Sequence, residues 1–562
     1  MAKHDERSKA EIYRAERKAR LAKAAKSRAK RASATQKIQK IVQTVIAAVL
    51  VIAITFFAVW NFFGANALVE KASTVMTVGS SKVSARDFRY YYILMYNYTA
   101  NQALQYQKQY GQNILGFETG IAPDEQKYPQ ASEDSPIKTW ADYLSKAALD
   151  RAQQNEALYK EAIKTDKAKY SLTDEEKEDL NKQIEELRKS AAKQSFALNA
   201  YLKKTYGVGI TEKFLRTQLE KEAIVERFNK DKLQEFKDAW TLDKIKPVYE
   251  EARDDYDVAS VRVYTLKPEK LEAKDGETKE QLEQRQKDEN AATKAKAEGI
   301  LATVSDDASF VNAVKENKVL KEGEKFDADE ATMQFNKSKA AITSKANKDA
   351  GEWVFAKDRA AGDKKVFQDE DGDCYLVFVK TTKAPPIKVD VRHILLSFKE
   401  DAKESSEPTA EEKANAKAKA EKVLEKWQAG DKTEESFAAL AKTDSTDPGS
   451  KDEGGLYKDV KVGSMVAPFE NWCFDPTRKP GDTGIVETTY GYHVMYMVKN
   501  DADNYQYIDD IRENKSNEDI EKYVEELLKK DEYAVVKKDS NLARAEKNSL
   551  KLIKKMIKLS QR

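Results

Sequence analysis

Val389-Asp390-Val391-Arg392-His393-Ile394-Leu395-Leu396-Ser397-Phe398 is the stretch from which the fold is read. Its opening alternates apolar and polar residues, the period-two pattern of a strand with one covered face. A second strand pattern, Tyr492–Lys499 (YHVMYMVK), returns a hundred residues later. Between the two lie an Ala/Lys/Glu helix pattern at Ala410–Ala429 and a shorter one at Glu434–Lys442. This order predicts a small α+β domain over 389–500. Its near edge falls at Ala384-Pro385-Pro386, because Pro-Pro continues neither a helix nor a central strand.

Working outward, Val258–Leu266 (VASVRVYTL) and Asp373–Thr381 (DCYLVFVKT) carry strand patterns, and the dense charge of Lys267–Lys296 predicts a solvated helix or a flexible insertion. Further upstream, Val75–Val83 reads as two short strands about Gly79-Ser80-Ser81. Ser84 then caps a long aromatic helix. Helices follow at about Ile137–Lys164, from Leu172 with a Thr173/Glu176 capping box, and from Thr211. Together these predict a helical domain over 75–250. Tyr90, Tyr91, Tyr92, Tyr96 and Tyr98 either pack its core, the favoured reading, or line a cradle for unfolded chains. The C-terminal segment 501–562 reads as two helices, Ser516–Lys530 and Leu542–Lys558, the last of them placed to fold back on the helical domain.

Charge is unevenly spread. Residues 1–40 hold fourteen Lys or Arg against four acids, so the rest of this chain of net +2 is acidic by about eight charges. Next comes Ile41–Phe63, 23 residues without a charge, about 35 Å long as a helix and ending in Trp60, Phe62 and Phe63. It predicts a single transmembrane helix with a cytoplasmic basic tail and everything downstream extracytoplasmic. A signal peptide cleaved at Ala65-Asn66-Ala67 is the alternative, but its apolar core spans only about 7–15 residues. No Cys follows the run, which excludes a lipoprotein anchor, and the tail lacks the aromatics of a nucleic-acid binder. Cys374 and Cys473 form no disulfide framework and read as buried thiols, and three histidines leave no zinc site.

Chemistry concentrates in 389–500. Val391-Arg392-His393-Ile394-Leu395-Leu396 is followed by Phe437-Ala438-Ala439-Leu440-Ala441, Ser445-Thr446-Asp447, Gly454-Gly455, Met465-x-x-Pro468-Phe469, Pro480-Gly481-Asp482-Thr483-Gly484 and Thr488-Thr489-Tyr490-Gly491-Tyr492-His493. In this order the segments resemble the parvulin-type peptidyl-prolyl isomerases. The strand-turn-strand start and the Gly209-x-Thr211-Glu212-x-x-Leu215 helix resemble the SurA/PrsA-like extracytoplasmic foldases. Apart from His4, the histidines are His393 and His493, both at signature positions.

The resemblance implies that His393 and His493 hydrogen-bond one another, with Asp447 and Thr488 completing a polar catalytic floor. Asp447 then stands beside the carbonyl of the turning bond. Some parvulins carry Cys there; this chain carries Asp447, so no thiolate mechanism is proposed. Met465, Phe469 and Leu456 would wall the proline slot, with Tyr490 a further substrate contact. Where parvulins commonly read Gly-Gly-Asp-Leu-Gly, this chain reads Gly454-Gly455-Leu456-Tyr457, taken here as one residue short. The loop Lys399–Lys413 is acidic, which disfavours phosphoserine-proline selectivity.

The region 258–384 reads as a degenerate copy. Val261-Arg262-Val263 parallels Val391-Arg392-His393, Ala361-Gly362-Asp363 echoes Pro480-Gly481-Asp482, and Cys374 falls opposite His493. Lacking both histidines, it is expected to be catalytically silent.

The sequence thus predicts a membrane-anchored isomerase and folding chaperone, with no cofactor or metal and no nucleic-acid partner. Its expected clients are unfolded secreted or surface polypeptides with X-Pro bonds. A non-enzymatic holdase and an assembly scaffold are the alternatives. Oligomeric state is not legible.

Overall fold

The structure, a computed structural model, describes residues 67–318, 326–399 and 407–561. The basic tail and the apolar run Ile41–Phe63 lie outside the described residues. Among the described residues, no helix is long and apolar enough to cross a membrane. The chain divides into two units: the described residues before Trp240 together with those after Glu513, and Thr241–Arg512.

In the first unit, β1 (Thr74–Val78) and β2 (Ser81–Ser84) form a hairpin whose outer partner is the distant strand Val535–Lys537. Ser84 and Asp87 form a reciprocal capping box that starts the helix Ala85–Tyr110. The helices Trp140–Thr165, Asp174–Lys193 and Glu212–Ala239 start at the caps Thr139, Thr173 and Thr211. Tyr90, Tyr91, Tyr92 and Tyr96 are buried, and Tyr98 is half-buried. The Tyr90 ring lies 5.3–5.7 Å from Tyr91, Tyr206 and Phe214. These rings are core. The final helix, Asp539–Ser560, adds Leu552, Ile553, Met556 and Ile557 to the same core.

The second unit holds two four-stranded antiparallel sheets of the same order. One is built from β3 (Val258–Leu266), β4 (Met333–Lys337), β5 (Lys364–Gln368) and β6 (Cys374–Ala384), in the order β4-β3-β6-β5. The other is built from β7 (Val389–Ser397), β8 (Leu456–Val460), β9 (Thr483–Glu487) and β10 (Gly491–Lys499), in the order β8-β7-β10-β9. In each, a long helix follows the first strand, Lys279–Ala302 and Ala410–Ala429. The charged segment after β3 is thus largely helical, started by a Thr278/Gln281 capping box.

The repeat extends to single hydrogen bonds. Gly362 N–H donates to Val379 O at 2.8 Å and Val379 N–H to Asp363 O at 2.8 Å; Gly481 N–H donates to Met497 O at 2.8 Å and Met497 N–H to Asp482 O at 2.9 Å. Val379 is therefore the counterpart of Met497. Arg262, salt-bridged to Asp307 at the start of one helix, parallels Arg392, paired with Glu434 at the start of another.

This register corrects the alignment made from sequence. Val263 pairs with Val377 as His393 pairs with Met495, so the residue opposite His493 in the copy is Tyr375, not Cys374. A one-residue shift reverses the face of every side chain in a strand. Cys374 accordingly packs with Leu376 and Phe378 on the helix side, while Tyr375 packs beside Val261 and Val263.

In the second sheet, Ile394, Leu396, Val494 and Tyr496 pack on Val423, Trp427 and Phe437. The other face carries Val391, Met495 and Met497 against Phe469, Trp472 and Cys473. Phe437 is fully buried between Trp427 and Tyr496. Phe437→Ala is expected to destabilise this lobe by about 3–5 kcal/mol, read as a lowered denaturation midpoint.

Candidate active site

β7 and β10 pair antiparallel with His393 opposite Met495 and His493 opposite Leu395, so the two histidines are diagonal neighbours on one face. Their Nδ1 atoms stand 3.0 Å apart and their ring centroids 5.2 Å apart. Both rings are buried, and Phe469 meets each edge-on at 5.4 Å. Phe469 comes from the short helix Ala467–Cys473, which begins at Pro468 in its first turn.

The segment after the helix Glu434–Asp444 is stitched to β7. Thr446 N–H donates to Leu395 O at 2.9 Å, and the Ser445 hydroxyl accepts from Leu395 N–H at 3.1 Å. This brings Asp447 Oδ2 to 3.1 Å from His393 Nε2. The Ser450 hydroxyl donates to the same oxygen at 2.5 Å and the Tyr457 hydroxyl at 3.0 Å. Ser450 Oγ also lies 3.0 Å from His393 Nε2. Gly455 shapes the turn that returns the chain to β8. Its φ is +74°, and an added Cβ would sit 2.2 Å from His393 O, the backbone beside the site.

On the far side, Thr488 Oγ1 lies 2.8 Å from His493 Nε2. With Asp447 a carboxylate, one proton order runs through the pair. His393 Nε2–H points to Asp447, leaving Nδ1 to accept from His493 Nδ1–H, and His493 Nε2 accepts from the Thr488 hydroxyl. The result is a directional chain Thr488→His493→His393→Asp447 ending on a carboxylate.

Electrostatics fit that chain. The His393 imidazole, helped by the Ser450 and Tyr457 hydroxyls and opposed by burial, holds the Asp447 carboxyl far below the usual carboxylate range. Burial, and then the neighbouring His393, push His493 down to about 3, against a smaller opposing pull from Asp447. Burial and the bond to Asp447 push Tyr457 up to about 12. Cys473 is buried and its thiol is raised by that burial, so it is no ready nucleophile. Among the described residues, no group of His, Cys, Asp and Glu could hold a metal ion.

Of the residues named from sequence, the structure brings His393, Asp447, Thr488, His493 and Phe469 together. Met465 is partly buried in the same apolar cluster. Tyr490 is 57% exposed, one turn from Thr488, whose hydroxyl accepts from its N–H at 3.1 Å. Leu456 is not a wall. It pairs with Arg392 and shares that residue's face, away from His393.

Tyr457, next along β8, takes the place instead, stacked on His393 at 5.0 Å and 18°. The signal was present. Counted from the glycines without a gap, Tyr457 stands at the family's leucine; an alignment one residue short points one position early, to Leu456. Ser450 had no signal beyond lying three residues after Asp447.

The family of PPIC-type PPIase domains matches residues 375–501. This chain therefore carries a peptidyl-prolyl isomerase domain of the parvulin type. The chain is 27% identical over 153 residues to the putative peptidyl-prolyl cis-trans isomerase Cbf2 of Campylobacter jejuni, covering 27% of this chain and 47% of that protein.

It is also 33% identical over 111 residues to foldase protein PrsA 1 of Listeria innocua and 38% identical over 111 residues to PrsA 2 of Listeria monocytogenes. Each covers 20% of this chain and 30% of the relative. The matched stretch thus spans about half the first relative and under a third of the foldases. Among solved structures, PrsA of Bacillus subtilis aligns with 75% of this chain and 91% of its own at 15% identity and a TM-score of 0.20. The parvulin of Nitrosopumilus maritimus aligns with 21% of this chain and 100% of its own at 26% identity and a TM-score of 0.15.

Between about pH 6.5 and 3 the unfolded chain binds a proton that folded His493 refuses. This group's stabilising contribution is therefore complete above 6.5 and is lost as pH falls toward 3. In a histidine NMR titration, His493 is expected to stay neutral from pH 8 down to about 4; a midpoint near 6.5 would contradict the buried chain.

Proposed function

We propose that the chain is a membrane-anchored, extracytoplasmic peptidyl-prolyl isomerase and folding factor of the SurA/PrsA kind, with its active lobe over 389–500. The observation that carries this is the His393–His493 contact of 3.0 Å lying under the edge of Phe469.

The reaction demands little covalent chemistry. Rotating an X–Pro bond crosses about 18–20 kcal/mol because amide resonance must be broken. Binding the twisted amide better than either planar form is sufficient. Phe469 and Met465 offer an apolar seat for the proline ring, and the Tyr457 ring narrows it. Asp447, held ionised, faces the carbonyl of the turning bond in this reading. A planar amide places negative charge on that oxygen, so a fixed anion disfavours the planar state relative to the twisted one. Thr488, His493 and His393 act as a rigid backing that fixes the position and proton order of that anion.

The companion lobe lacks the same parts. Val263 and Tyr375 stand at the places of His393 and His493. The helices Lys348–Val354 and Ala467–Cys473 each carry Trp sixth, under Arg359 and Arg478, which puts Ala350 at the place of Phe469. We take this lobe as non-catalytic. Clients are unfolded polypeptides outside the membrane, and the partly exposed Leu104, Ile114 and Ile121 of the helical unit are suited to meet them.

A protease-coupled proline assay on the full chain tests the activity. Asp447→Asn and His493→Ala are each expected to lower kcat/KM by about tenfold or more, a loss of about 1.4 kcal/mol of transition-state stabilisation. A full chain no faster than the uncatalysed reaction refutes the enzyme. Tyr457→Phe, which keeps the ring but removes one donor to Asp447, should cost about two- to fivefold, and Tyr457→Ala more.

A further inference from the structure

The helix Asp539–Ser560 is amphipathic in an unusual way. Its buried residues, Ala545, Ser549, Leu552, Ile553, Met556 and Ile557, form one stripe. At about 100° per residue, Arg544, Lys547, Lys551 and Lys558 fall within about 60° of one another on the opposite side. All four are exposed. Lys555 lies about 20° beyond one edge of this arc, and no acidic residue of the helix falls on it. Asp539 and Glu546 lie on the flank of the buried stripe, Glu546 taking a bond from the Ser145 hydroxyl. Lys554, beside the cationic arc, is engaged by Asp124 at 2.7 Å and Glu125 at 3.0 Å. The stripe runs about 21 Å along the helix, from 544 to 558.

Its separation from the N-terminal apolar run is bounded by covalent reach. The short helix Ala67–Ala72 is held in the first unit by Glu70, which pairs with Arg89 and accepts from Asn548 Nδ2 at 3.2 Å. Asn548 is the neighbour of Lys547. Phe63 precedes Ala67 by four residues. The link from Phe63 to Ala67 is thus at most about 15 Å of extended chain.

We propose that this helix is a second membrane contact: its Arg544–Lys547–Lys551–Lys558 stripe docks on anionic phospholipid headgroups beside the point where the chain leaves the bilayer. The proposal rests on Ile41–Phe63 being the anchor. Given that anchor, the stripe is confined near the surface at high effective concentration, where cations are attracted within roughly one Debye length of anionic lipid. Docking then holds the helical unit against the membrane through its C-terminal helix.

The test uses the full chain reconstituted into vesicles, one set of phosphatidylcholine and one with about a third phosphatidylglycerol. Lysine acylation, read peptide by peptide, reports surface protection. Lys547, Lys551 and Lys558 are expected to react at least about threefold more slowly in the anionic vesicles at low salt, with protection lost at about 0.5 M salt. Lys189 and Lys422, on the helices Asp174–Lys193 and Ala410–Ala429, serve as references and should not change. Replacing the stripe by R544Q/K547Q/K551Q/K558Q should leave isomerase activity intact. It should also raise the acylation of Lys555 in anionic vesicles to its phosphatidylcholine value.

Extraction of the chain by alkaline carbonate overturns the anchor and the proposal with it. A retained chain with equal protection in both vesicle types overturns the docking alone. Protection conferred on phosphatidylcholine vesicles by soluble polyphosphate, but not by phosphatidylglycerol, overturns the choice of lipid. None of these outcomes bears on the proline assay, which reports the isomerase separately.

Discussion

The antiparallel register of β7 on β10 is the constraint from which the site follows. It sets His393 and His493, a hundred positions apart, on one face at diagonal places, where imidazoles are the right size to touch. Each remaining group then has a defined end of the chain to serve. Thr488, at the close of β9, meets the outer nitrogen of one ring. Asp447, sewn to β7 through Ser445 and Thr446, meets that of the other. A one-residue slip of β7 would turn His393 to the other face, away from Asp447 and toward Phe437 and Trp427. The companion lobe shows the other outcome: the same ladder and the same paired hydrogen bonds, but apolar or phenolic side chains at the diagonal, and no acid chain between them.

Burial gives this chain its chemical character. An imidazole in water hovers between charge states near neutral pH, whereas His493, covered by Phe469 and backed by another ring, is driven to the neutral form. Asp447 has the opposite fate because three donors converge on one oxygen. A neutral His493 beside a fixed anion is poorly suited to shuttling protons. It is well suited to presenting a stationary field, which is what an unassisted bond rotation can use.

Much of this was legible in the residues. Caps at Ser84, Thr173 and Thr211 announced helices because a hydroxyl before an amphipathic run has few other uses. The scarcity of histidine made His393 and His493 conspicuous. What failed did so where strand phase decides. Leu456 and Cys374 were each placed one position from the residue that matters, and in a strand one position is the opposite face. Hydrophobicity could not arbitrate, since Leu456 and Tyr457, or Cys374 and Tyr375, are equally at home in a sheet. Ser450 was invisible because its role depends on a turn closing back on Asp447, and nothing in a lone serine marks that closure.

The strand Val535–Lys537 pairs with β1, and the helix after it fills the core that β1 and the helix Ala85–Tyr110 begin. A polypeptide threaded outward from its N-terminus would therefore release the opening hairpin and first helices long before the partner that completes them. During that interval the parvulin lobes, whose strands all lie between, can already fold, while the part of the first core that Leu552, Ile553, Met556 and Ile557 complete waits uncovered. Completion of the first unit thus follows the synthesis of the strands of both four-stranded sheets.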